Sequence, residues 1–125
     1  ETIEILTSLG DRGGLALSLK TMGKLHGELG QGATDINMKM KHFDISFELY
    51  SHSLEYTRQL ADSSAESEVL RCMGDVLVNK GQHDKAIEHY NSACSIFKEL
   101  GLATEVEKTR ASIKLAAASR DSVVK

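Results

Sequence analysis

Phe43-Asp44-Ile45-Ser46-Phe47-Glu48-Leu49-Tyr50-Ser51-His52-Ser53-Leu54 and His83-Asp84-Lys85-Ala86-Ile87-Glu88-His89-Tyr90-Asn91-Ser92-Ala93-Cys94 are diverged copies of one sequence, forty positions apart. Asp44/Asp84, Glu48/Glu88 and Tyr50/Tyr90 coincide without a gap, and the small Ser53 matches Ala93. A fixed period between about twenty and fifty residues marks a stacked repeat protein, in which each unit buries its apolar face only against its neighbours. Function in such arrays resides mainly in their surfaces.

Around the second copy the helical period is explicit. Val69, Leu70, Met73, Val76 and Leu77 recur at steps of three and four, as do Ala86, Ile87, Tyr90, Ala93, Cys94 and Phe97. Ser63-x-x-Glu66 is a capping-box pattern that opens the first of these helices, and Gly81 suits a left-handed residue just past its end. Asp84 or His83 opens the second helix and Gly101 closes it, which predicts an antiparallel helical hairpin with a short turn.

The same elements lie around the first copy at a wider spacing. Met22-Gly23 stands in place of Met73-Gly74, and Gly30-Gln31 in place of Gly81-Gln82. Leu9-Gly10-Asp11 matches Leu60-Ala61-Asp62 at an offset of fifty-one, so eleven residues are inserted, best placed at 32–42 between the two helices. Across that insertion Ile36, Met40, Phe43, Phe47, Tyr50 and Leu54 form an apolar stripe at helical spacing. The stripe predicts a helix from Thr34 or Asp35 to Leu60, roughly 40 Å long at about 1.5 Å per residue. Its end, with Ile36, Met38 and Met40 rimmed by Lys39, Lys41 and His42, should project beyond the stack as a second contact surface. The alternatives are a glycine-rich loop, and a helix that fails to turn at Gly30-Gln31-Gly32 and exchanges with a second chain.

Met73-Gly74, Leu77, Gly81, Ala86, Tyr90 and Ala93 resemble the tetratricopeptide repeat pattern, with a small residue where the helices cross and an aromatic, then alanine, in the second helix. Leu70, His83 and Lys98 depart from it where the family often has tryptophan, tyrosine and proline. The forty-residue period and the absence of proline are similar to the longer-repeat branch, which includes the Leu-Gly-Asn-repeat polarity adaptors, kinesin light chains and bacterial Rap-type regulators.

The resemblance implies an all-α fold of antiparallel helical hairpins stacked as a right-handed superhelix, an α-solenoid. The array would occupy 1–118: the end of a preceding repeat at 1–10, a repeat with its insertion at 12–61, a regular repeat at 63–101 and a capping helix at 103–118. Residues 119–125 read as a tail. Partners of the family meet the concave groove, here Lys20, Thr21, Lys24, Gly27 and Glu28, then Glu68, Arg71, Cys72, Asp75, Val78 and Asn79. The residues after the two crossing glycines are Lys24 and Asp75, not the asparagines of chaperone-binding members. The implied function is a non-catalytic protein–protein interaction module, a scaffold or adaptor that binds a peptide or helix. The rival is a structural module that self-associates, as a homodimer, through the extended helix at 33–47.

Composition bounds the other classes. A formal charge of −3 over 125 residues, with pI near 5.9, lacks the basic footprint of a nucleic-acid binder. No apolar run approaches a membrane span, and Glu1-Thr2-Ile3-Glu4 lacks a basic leader. Cys72 and Cys94 sit inside apolar helical pattern and read as buried thiols, favouring a reducing, cytoplasmic setting. The five histidines form no HExxH or comparable motif, and no GxSxG, P-loop or GxGxxG occurs, so neither catalysis, metal nor cofactor is expected. Gly13-Gly14 weakens the start of its helix and reads as a flexible junction.

Overall fold

Helix signals become helices throughout: a computed structural model describes residues 12–124, and no strand occurs among them. In chain order they are α1 (Arg12–Gly32), α2 (Ile36–Gln59), α3 (Ser63–Asn79), α4 (His83–Glu99) and α5 (Ala103–Val124). Ile3, Ile5, Leu6 and Leu9, read as the end of a preceding repeat, lie outside the described residues. The chain divides between Ser63 and Ser64 into two compact units. One is the α1/α2 hairpin; the other is built from α3, α4 and α5. None of the helices is long and apolar enough to cross a membrane.

In the second unit, Val69, Leu70, Met73, Val76 and Leu77 of α3 are buried, as are Ala86, Tyr90, Ala93 and Phe97 of α4. Gly81 ends α3 at φ 82°, so that the Gln82 N–H reaches the Leu77 carbonyl (2.8 Å) and the Gly81 N–H reaches that of Val78 (2.9 Å). Two otherwise orphaned carbonyls are thereby satisfied. At the helix crossing, a β-carbon on Gly74 would stand 2.6 Å from Cε1 of Tyr90. Glycine is required there because the tyrosine ring, 2% exposed, has nowhere to go.

Helix α5 closes this unit with a narrow strip of modest side chains, Val106, Thr109 and Ala116. It runs through Val124 instead of stopping at Ala118. Ala116-Ala117-Ala118 are the strongest helix formers, and Arg120 anchors the following turn. Its Nη1 donates to Asp84 Oδ1 (3.0 Å) at the start of α4, and its Nε to Asp121 Oδ1 (3.2 Å). Cys94 is buried, Cys72 only half-buried, and neither is in a disulfide.

The first unit repeats the hairpin with longer arms. Past its crossing glycine α1 continues from Gly23 to Gly32 where α3 continues only from Gly74 to Asn79, four residues more, and α2 has 24 residues against 17 in α4, so the eleven extra residues divide into four and seven. Helix α2 covers nearly the whole span expected from the apolar stripe. Asp35 is its N-cap, accepting from the Asn37 N–H (3.1 Å). Gly30, however, is not the counterpart of Gly81. It lies inside α1, where a β-carbon would meet Cε1 of Phe43 at 2.6 Å.

The physical reason is a second crossing layer. Gly23 faces Tyr50 and Gly30 faces Phe43, so a glycine seven residues on meets an aromatic seven residues back, as antiparallel helices require. Between them Gly27 faces Ser46 (3.6 Å from the β-carbon position to Oγ), an ordinary contact that would admit a β-carbon. Ser46 Oγ donates to the Gly23 carbonyl (2.6 Å) and Ser53 Oγ to that of Ala16 (2.7 Å). Both hydroxyls are buried, and each would be costly without its acceptor.

Candidate partner-binding faces

On α1, Lys20, Lys24 and Glu28 follow one another at steps of four and so share a face. Lys24 and Glu28 are exposed, while Lys20 is half-buried. Thr21 turns its hydroxyl back to the Leu17 carbonyl (2.9 Å). This stretch is a solvated face carrying cation, cation, anion.

On α3, Glu68, Arg71, Asp75 and Asn79 are spaced three, four and four, again one face. Asp75 and Asn79 are exposed; Glu68 and Arg71 are half-buried. Here the second unit has its own electrostatics. Arg71 pairs with Glu105 of α5, and its guanidinium lies over the Phe97 ring, 5.3 Å from the centroid. Lys108 approaches the same Glu105 (3.7 Å). The hydrogen bond from Arg71, with the nearby charge of Arg71 and Lys108, holds the Glu105 carboxyl below its ordinary value.

Beside this pair the buried Tyr90 donates its hydroxyl to Asp75. Desolvation raises the Asp75 carboxyl above its ordinary value, an effect only partly offset by the Tyr90 hydrogen bond and the Arg71 charge. Desolvation, and then the Asp75 acceptor, also raise the Tyr90 phenol, which therefore stays a donor. Asp75 is a surface carboxylate set over a buried phenol.

These contacts change what the predicted residues can offer. Arg71 already holds a carboxylate, so a ligand acid would have to exchange with Glu105. Tyr90, read from sequence as a space filler, also presents a hydroxyl. Neither Glu105 nor that hydroxyl had a sequence signal, because a pair formed across helices, 34 and 15 residues apart, leaves no local trace. At the far end of the first unit Ile36 is 62% exposed and Met38 45%, while Met40 is half-buried. Ile36 continues the stripe of Phe43 and Tyr50 at the first position of α2, past the end of α1 at Gly32. No protein-family model matches the chain, and no curated protein matches it in sequence.

Proposed function

We propose that the chain is a tetratricopeptide-like array that recognises a protein partner without catalysis. The observation that carries this reading is the recurrence of one crossing, Gly23 against Tyr50 and Gly74 against Tyr90, at aligned positions in the two units. The candidate faces are Lys20/Lys24/Glu28 on α1 and Glu68/Arg71/Asp75/Asn79 on α3, each belonging to its own unit. An extended or helical peptide bearing carboxylates suits either face. On the α1 face Lys20 and Lys24 supply the cations beside Glu28; on the α3 face Arg71 does so only by exchanging Glu105 for a ligand carboxylate, Asn79 can meet the peptide backbone, and Glu68 and Asp75 disfavour acidic segments in the wrong register.

Affinity capture with the full chain tests this, comparing the native protein with a Lys24→Glu/Arg71→Glu variant whose fold is verified by circular dichroism. The native partner should be lost on charge reversal; undiminished capture would overturn the assignment. Exposure of Ile36 and Met38 favours a second reading, self-association through 33–47. Light scattering after size exclusion separates the two. A dimer that Ile36→Asp converts to monomer supports self-association, and a monomeric native chain rules it out.

A further inference from the structure

His26 of α1 and His42 of α2 meet across the long hairpin, both half-buried, with their Nδ1 atoms 3.1 Å apart. The ring centroids are 5.3 Å apart and the planes 29° from parallel. That centroid distance exceeds the nitrogen separation by about two ring radii, so the imidazoles meet edge to edge through Nδ1. One Nδ1 carries a proton and donates it; the other accepts.

From this geometry we propose that His26 and His42 bind one late transition-metal dication, Zn²⁺, Ni²⁺ or Cu²⁺, clamped between the arms of the hairpin. Two nitrogens each about 2.0–2.1 Å from a common ion stand about 3 Å apart when the angle at the ion is near about 100°. The pair already has that separation, and each ring turns by about 40° to aim its lone pair at the common ion instead of at the other ring. The donor's Nδ1 proton passes through solvent to its own Nε2. Both rings then remain neutral, both Nδ1 lone pairs face the metal, and no net proton is released.

The surroundings select the ion. The donors are imidazoles with no carboxylate, which suit zinc, nickel and copper over calcium or magnesium. Charge does not oppose a dication strongly. On α1 the positions three and four from His26 are Met22, Gly23, Leu29 and Gly30; on α2 those from His42 are Met38, Lys39, Ile45 and Ser46. The one cation in that set, Lys39, has its Nζ on the Gln31 carbonyl (3.3 Å) and over the Phe43 ring (5.9 Å), at the hairpin's tip. The Gly23/Tyr50 and Gly30/Phe43 crossings bracket His26 on α1, and the packed Phe43 adjoins His42 on α2, so the donors sit on rigid elements. No group of three or more His, Cys, Asp or Glu gathers among the described residues, so water completes the coordination and affinity falls short of a structural zinc site.

Calorimetric titration of the full chain with Zn²⁺, Ni²⁺ and Cu²⁺, alongside thermal melting, tests the site, with Mg²⁺ as the negative control. Binding and a raised Tm are expected with the three late metals only. His26→Gln and His42→Gln should each weaken binding by at least about tenfold, the loss seen when even an outer-shell partner is removed. His52→Gln, which changes a histidine elsewhere on α2, should leave it intact. No binding, or binding undiminished in both single variants, overturns the proposal. Nitrogen-15 NMR of the native chain with Zn²⁺ decides even if a variant misfolds: ligation through Nδ1 of both residues is expected, and ligation through Nε2 alone refutes the site.

Discussion

At Ala61 the backbone turns left-handed (φ 54°) where α3 and α4 end on Gly81 (φ 82°) and Gly101 (φ 74°). The hydrogen bonds are the same: the Asp62 N–H reaches the Thr57 carbonyl (3.0 Å) as the Leu102 N–H reaches that of Phe97 (3.0 Å). A β-carbon in this conformation costs roughly 1–2 kcal/mol, and the extra chain entropy of glycine returns about 0.5–1 kcal/mol of that. Ala61→Gly should therefore raise stability by about 0.5–1 kcal/mol, read from the urea midpoint at unchanged slope. Asp75 gives a second prediction. Its carboxyl is raised in the folded state, so the folded chain holds the proton more tightly than the unfolded one. Stability then falls as pH rises from the unfolded value, about 3.9, through the folded one, and is level above it. Asp75→Asn keeps an acceptor for Tyr90 and cannot ionise. It should match the native protein at acid pH and exceed it at neutral pH in denaturant titrations; a variant that is weaker at neutral pH would show that the carboxylate is favourable there. Glu105 runs the other way, since its lowered carboxyl contributes stability that is lost as pH falls through its folded value.

Among the elements, the long hairpin is where sequence and structure part most usefully. The length of α2 was legible because its apolar stripe never breaks. The length of α1 was not, because Gly30-Gln31 copies the Gly81-Gln82 turn in type. Glycine suits both a left-handed turn and a close helix approach, and only the presence of Phe43 opposite decides between them. Gly30→Ala should cost about 1–3 kcal/mol by overpacking the Phe43 ring, which is 2% exposed and cannot swing away. Gly32, with nothing within 4 Å of its β-carbon position, should accept alanine with no loss. Equal effects at the two glycines in thermal melts would contradict the double crossing. The candidate faces divide similarly. Their membership followed from helical spacing, whereas the engagement of Arg71 by Glu105 depended on α5 lying within reach, which no local pattern encodes.

At the scale of the whole molecule, the piece 62–125 carries buried apolar residues on each of its helices, from Val69 and Leu70 on α3 to Phe97 on α4 and Val106 on α5. Expressed alone, that piece should give a helical circular dichroism spectrum and a cooperative melt; a broad, featureless melt would show that it is not an independent unit. The sequence by itself determined the helical class and the long apolar stripe of α2, because apolar periodicity acts within a few residues. It also located the insertion, through the mismatch of two copies. Tertiary structure alone decided how those eleven residues were shared between two helices, which carboxylate occupies Arg71 and that His26 meets His42. Each of these depends on which atoms lie opposite one another across a helix pair, a distance that packing sets and chain order does not.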